Sequence, residues 1–352
     1  MVNQNRSIIR NYQTANAENI TLTRNLSTPI WQRFVEDHPN GNIFHTPEMF
    51  QVFTRAEKHY PTIWAAVNSD GFPVALFLPV NITTISGLPR FSTRAVIYGG
   101  VLSERSERGH AALSALLQAF KQDRSTPLLF TEIRNITDAT YWQPILDNNR
   151  FLYQDHLNYI VDLDRPAELI WKQFDSQART KIRKAEKSEI AVEEVKSLEQ
   201  VQEGYKILDA VYRRIQVPLA PKSLFTAAME VLGTDGKLRF LLAKKNGIYI
   251  GVSVNLLYKD RIFGWYAGAL DEYSTFGVNE LLNWTIIEWG ASQGYKIFDF
   301  GGAGRPNEPY GPRNFKAKFR GRLVNYGRNI YVNSPYQLKL SNFAYRLYRK
   351  AL

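Results

Sequence analysis

Residues 239–257, RFLLAKKNGIYIGVSVNLL, hold two apolar runs joined by Asn246-Gly247. Asn-Gly accepts positive φ at both centres of a two-residue turn, so the stretch predicts strand, tight turn, strand. The same pattern stands at 61–80, PTIWAAVNSDGFPVALFLPV, with Asp70-Gly71 at the turn. The two turn glycines lie 176 positions apart. Further out, YGGVL at 98–102 precedes YAGAL at 266–270 by 168, and LLF at 128–130 precedes KIF at 296–298 by the same 168. A helical pattern separates the members of each pair, at 109–121 and at 277–291. Four elements in one order and near-constant spacing predict two similar α/β halves with a boundary near residues 150–165. The expected divisions are a polar segment without order at 1–25, a first domain at 26–158, a second at 159–330, and a basic helix or tail at 331–352.

In the second half, Val278, Leu281, Leu282, Thr285, Ile286 and Trp289 fall on one face of a 3.6-residue repeat. Ser274 and Thr275 are capping candidates before it, and Gly290 and Gly294 are stop signals after it. The start of such a helix offers free backbone N–H groups to an anion. A second helix is expected in SQARTKIRKAEKSEI (176–190), capped by Ser176, with Ala178, Ile182 and Ala185 as its apolar stripe. Arg179, Lys181, Arg183, Lys184 and Lys187 surround that stripe. They are either a solvated face or an anion site, because cations at i, i+4 repel unless a counter-charge sits there.

The formal net charge is +11, and eleven Lys/Arg against one acid fall between Arg305 and Leu352. That concentration predicts an anionic partner near the C-terminal end; the alternative is a solubilising tail. The chain has no cysteine, which excludes disulfides, thiol catalysis and thiolate metal sites. The histidines, His38, His45, His59, His110 and His156, lack metal-ligand spacing, so no metal is expected. The longest apolar run, Phe72 to Val80, is too short to span a bilayer, and residues 1–20 carry no apolar signal core. A cytoplasmic protein is the expectation. GGAGRPN (301–307) is neither a P-loop nor a dinucleotide fingerprint, but its glycines let a ligand approach the backbone closely.

Three stretches carry a resemblance: ARTKIRKAEKSEIAVEEV from 178, GWYAGALDEYSTFGVNELLNWTIIEWGASQGYKIFDFGG from 264, and YGPRNFKAKFRGRLVNYGR from 310. Together they resemble the FemAB-type aminoacyltransferases and their relatives in the GNAT acyltransferase superfamily. The resemblance is strong over 160–330 and weaker over 40–135, where it rests on IFHTPEMF and YGGVL. It implies an α/β fold of two tandem GNAT-like domains, each a mixed central sheet flanked by helices. It further implies transfer of an amino acid from aminoacyl-tRNA to an amine of a peptidoglycan or other cell-envelope precursor. Where acyl-CoA enzymes of the superfamily carry a glycine-rich pyrophosphate loop, this chain has Ser274-x-x-Gly277-x-Asn279, which favours a donor other than acetyl-CoA. An acyl-CoA or acyl-carrier N-acyltransferase on an amino sugar is the alternative, and a non-catalytic RNA-binding protein a second.

The resemblance places Phe315-Lys316 near the reacting groups and the tRNA end, Tyr266 in the same cleft, and Arg179 on the phosphates of a diphosphate-bearing acceptor. Arg183 is expected beside Arg179. Amide synthesis from an ester needs no covalent intermediate, so Lys316 would act as a cation beside the developing oxyanion. Asp299, at the strand end leading into Gly301-Gly302, would orient the amine or cap the bend. Those glycines would admit the donor ester, while Arg313, Lys318, Arg320 and Arg322 would track its phosphates. No bound cofactor is expected, the donor being aminoacyl-tRNA or else acyl-CoA. The sequence leaves the oligomeric state open.

Overall fold

The computed structural model describes residues 10–13, 19–85, 87–341 and 343. It divides into two compact units, one of residues 1–54, 58–155 and 326–352, the other of residues 55–57 and 156–325. The expected divisions at 158 and 330 thus move to 155 and 325.

The first unit contains β1 (Arg10–Gln13), β2 (Asn19–Thr23), α1 (Thr28–Asp37), α2 (Pro47–Arg55), β3 (His59–Pro61), β4 (Trp64–Val67), β5 (Pro73–Phe77), β6 (Pro79–Thr83), α3 (Pro89–Ser92), β7 (Thr93–Tyr98), β8 (Leu102–Ser103), α4 (Glu107–Gln122), β9 (Phe130–Arg134), α5 (Gln143–Asn148) and β10 (Leu152–Gln154). The second contains β11 (Leu157–Asp162), α6 (Ala167–Gln173), α7 (Ser176–Lys187), β12 (Ala191–Glu194), α8 (Leu198–Arg214), α9 (Lys222–Ala228), β13 (Leu238–Lys245), β14 (Ile248–Tyr258), β15 (Arg261–Ala269), α10 (Val278–Ser292), β16 (Ile297–Gly302), α11 (Gly311–Ala317) and β17 (Arg322–Asn325). The chain then returns to the first unit as β18 (Arg328–Val332).

The duplication is visible in the pairing. Antiparallel hairpins β4–β5 and β13–β14 sit where the Asp-Gly and Asn-Gly turns place them. Each unit also holds a pair of parallel strands, β7 with β9 and β15 with β16, and a helix, α4 or α10, lies between them in the chain. The second unit is one seven-stranded sheet in the order β12-β13-β14-β15-β16-β11-β17. The first opens into two sheets, β1-β2-β4-β5-β8 and β10-β18-β9-β7-β6-β3. The strand leaves one sheet for the other at Leu78, between β5 and β6, and again at Gly99 and Gly100, whose φ of 81° and 90° no strand position accepts.

Several local expectations are corrected. The polar N-terminus supplies strands: β1 pairs with β2 and β2 with β4, while residues 1–9 and 14–18 lie outside the described residues. Of the segment 331–352, β18 takes the start and residues 335–341 are helical; residues 342 and 344–352 lie outside the described residues. The cap of α7 is Asp175, which accepts the Ala178 N–H at 2.8 Å, one residue before the expected Ser176. At α10 the cap is Gly277 (φ 84°), because Ser274 and Thr275 are taken into a 3₁₀ turn, Asp271–Phe276. Gly290 does not stop that helix: a Cβ there would stand 2.5 Å from the Ile262 side chain, so glycine lets helix and sheet close up. Gly294, with φ of 80°, makes the stop.

The second unit's core gathers Ile182 and Ala185 of α7, Leu281, Leu282, Ile286 and Ile287 of α10, and Ile262 and Phe298 from the sheet. Helix α10 is buried around most of its girth, since Trp284 meets Trp171 and Phe174 at ring distances of 4.9 and 5.6 Å.

Candidate active site

The parallel strands β15 and β16 are paired only at Arg261–Ile297, Ile262–Phe298 and Phe263–Asp299. Beyond that point each runs on without the other, and the carbonyls of β16 on that side need other partners. Lys316, on α11, supplies them. Its ammonium donates to the carbonyl oxygens of Phe300 and Gly302 at 2.7 Å each and lies 3.4 Å from that of Gly301. Burial pushes its pKa down from 10.5 to about 8, with the Asp299 carboxylate pulling upward. An ammonium has three N–H donors; two are held at short distance, and the third is held least tightly, on the Gly301 carbonyl at 3.4 Å.

Asp299 is fully buried. Its carboxylate accepts the Gly301 N–H at 2.8 Å and the Asn158 amide at 3.1 Å, and pairs with Arg261 at 3.3 Å. Burial pushes its carboxyl up from the ordinary value, while Arg261, these hydrogen bonds and Lys316 pull it down. These contacts tie the bend at Gly301 to the neighbouring strands β11 and β15. Gly301 adopts φ of 71°, and a Cβ there would stand 3.2 Å from the Gly264 carbonyl oxygen. At Gly302 a Cβ would stand 2.6 Å from His156 Nε2.

Arg313 clamps the glycine loop: Nε donates to the Ala303 carbonyl at 2.8 Å, one terminal nitrogen to that of Pro306 at 3.0 Å, and the other to that of Arg305. Phe315 is half-buried against Phe319, their rings 5.5 Å apart. Tyr266 lies in an aromatic group on β15, with ring distances of 4.8 Å to Phe225, 5.1 Å to Trp265 and 6.0 Å to Tyr212. Burial, with Tyr310 adding to it, pushes the Tyr212 hydroxyl up to about 12, so it is a neutral donor at any physiological pH. Tyr310 starts α11 and packs on Gly304, where a Cβ would stand 2.9 Å from its ring.

The structure thus brings together Lys316, Asp299, Gly301, Gly302 and Arg313. Arg179 is engaged elsewhere, donating at 2.8 Å to the carbonyls of Lys172 and Phe174 at the end of α6. Arg183 lies over the Trp171 ring at 5.5 Å. Lys318 pairs with Glu280 at 3.6 Å. Arg320 and Arg322 are exposed at the entry to β17. The sequence reading missed Arg261, Asn158, His156 and Glu280. Asn158 and Glu280 carried a signal, a polar residue within an otherwise apolar pattern; Arg261 and His156 carried none.

Glu280 bears on the donor. It is buried in the first turn of α10, where the helix dipole favours an anion, and the chain fills that role with its own carboxylate. A Cβ at Gly277 would stand 2.3 Å from the Lys181 carbonyl oxygen, so α7 crosses closely at the helix start.

Residues 172–316 match the family model of the acetyltransferase (GNAT) domain. With its repeated parallel pair and intervening helix, the chain has the tandem GNAT fold. Within that class its similarity is to proteins of the FemAB type. The UDP-N-acetylmuramoylpentapeptide-lysine N(6)-alanyltransferase of Weissella viridescens is 22% identical over 174 residues, 49% of each chain, so the match spans about half that relative's length. The crystal structure of FemX superposes with a TM-score of 0.69 at 16% identity, covering 90% of this chain and 99% of that one. The structure of L-PGS from Bacillus licheniformis gives 0.57 at 15% identity, covering 91% and 96%.

Proposed function

We propose that the protein is an N-acyltransferase that moves an aminoacyl group from aminoacyl-tRNA to an amine of a peptidoglycan or other cell-envelope precursor. The observation that carries this is Lys316, whose ammonium is held on three carbonyls of the bend beyond the β15–β16 pairing, one of them only at 3.4 Å. The neutral amine attacks the ester carbonyl carbon, and the carbonyl oxygen takes the negative charge. The N–H that Lys316 holds loosely on Gly301 turns to that oxyanion; removing one such donor typically costs about 10²–10³ in rate. Collapse breaks the bond to the ribose oxygen, and that oxygen takes the proton the amine gives up. The aromatic group around Tyr266 excludes water from the ester. Arg320 and Arg322 meet the donor's phosphates. Arg183 meets the acceptor diphosphate through the edge of its guanidinium, its face resting on Trp171.

Glu280 favours tRNA over CoA as donor. A pyrophosphate at the start of α10 would stand beside a buried carboxylate, and like charges at close range are costly there. The test supplies labelled aminoacyl-tRNA or acyl-CoA with a UDP-linked muramoyl-pentapeptide. Label passing to the peptide from tRNA alone is expected; consumption of acyl-CoA alone would overturn the reading.

A further inference from the structure

In the first unit, Ile85, Leu88 and Phe91 stand 56%, 53% and 38% exposed around α3, while Tyr336, Leu340 and Phe343 stand 81%, 59% and 62% exposed on the C-terminal helical segment. The two groups are pinned to each other, since Ser341 Oγ donates to the Phe91 carbonyl oxygen at 2.8 Å. Tyr336, Leu340 and Phe343 recur at i, i+4 and i+7. A helix ordinarily turns such a stripe inward; here it faces out, and the half-buried positions are Gln337, Leu338 and Ser341.

Within the two segments that form this apolar surface the charge is of one sign. Arg90 and Lys339 are exposed beside it. No Asp or Glu occurs from Gly71 to Ser103 or anywhere after Glu308. We propose that this surface docks on an anionic phospholipid bilayer, its apolar residues entering the boundary between headgroups and acyl chains and its cations facing the headgroups. Among the described residues no helix is long and apolar enough to cross a membrane, so the chain lies on the surface and does not span it there. A second copy fits less well, because a two-fold contact would set Arg90 and Lys339 against their own counterparts. Each cation near an anionic leaflet multiplies binding by roughly fivefold, an effect that salt screens.

The test is co-flotation of the full chain with vesicles of equal parts phosphatidylglycerol and phosphatidylcholine, against phosphatidylcholine alone. Binding to the anionic vesicles only, released by salt, is expected. Leu340→Glu with Phe343→Glu weakens it by roughly tenfold or more. Arg90→Glu with Lys339→Glu weakens it too and keeps the apolar residues, should the first variant fail to fold. Ile248→Glu, at an exposed apolar residue of the second unit, leaves it unchanged. Wild-type protein that stays off the anionic vesicles, or variants that float like wild type, would overturn the proposal. So would self-association abolished by these substitutions without any vesicle binding.

Discussion

Lys316 and Gly302 are joined by a 2.7 Å hydrogen bond from the ammonium to the carbonyl at the end of β16. That bond makes the lysine part of the backbone's own hydrogen-bond accounting, and desolvation there lowers its pKa to about 8. If the cation stabilises the oxyanion, turnover falls as pH rises through about 8. Lys316→Arg carries the falling limb to higher pH, because guanidinium stays charged. Lys316→Ala lowers kcat by about 10²–10³ while the far-ultraviolet circular dichroism is unchanged. A rate that rises through pH 8 would instead assign the neutral amine as a base.

The same group sets a stability window. Its pKa is 10.5 when unfolded and about 8 when folded, so between those values the native state binds fewer protons and its stability rises with pH. Below about 8 the folded protein carries the full cost of the buried charge. Lys316→Met removes that cost, so its melting temperature relative to wild type is highest near neutrality and drops through the window. A constant difference across pH would mean the lysine is solvated in solution.

Asp299→Asn separates positioning from chemistry. Asparagine keeps an acceptor for the Gly301 N–H, but it removes the charge that holds Arg261 and raises the Lys316 pKa. The falling limb of the pH–rate profile then moves to lower pH, and activity returns on acidification. A loss of about 10² at every pH would place the carboxylate on the substrate amine instead.

What the sequence told of this site follows from what local patterns encode. The hairpins were legible because Asn246-Gly247 satisfies a turn that few residue pairs tolerate. Helix α10 was legible from its stripe, though its other faces are buried too and gave no periodic signal. Helix α11 was not read, yet Pro312 in its first turn marks a helix start. Asp299 was left between two roles by its position alone; Asn158, 141 residues away, makes one of the contacts that tie it to the bend. Arg179 was assigned to phosphate by likeness, and only the fold reveals that it binds the last carbonyls of α6.

Glu280→Gln tests why the start of α10 would refuse CoA. The substitution removes the first-turn carboxylate and releases Lys318 from its 3.6 Å partner, so the helix start gains a net positive charge. Calorimetry is expected to show no CoA binding to wild type and weak, salt-sensitive binding to the variant. The loss of a favourable helix-end charge costs about 0.3–1 kcal/mol of stability. Wild-type protein that binds CoA as well as the variant does would remove Glu280 from donor selection.

Arg320 and Arg322 make the nucleic-acid part of the reading measurable. Both are exposed, and Arg322 begins the edge strand β17, where a backbone of phosphates can run past without displacing a packed element. Replacing both with alanine lowers aminoacyl-tRNA affinity at low salt and flattens the plot of log K against log salt by about one unit or more, since two fewer phosphates release their counterions. The kcat at saturating tRNA is expected to be unaffected, because the two cations serve binding of the phosphates. An unchanged salt slope would place the tRNA backbone elsewhere on the second unit.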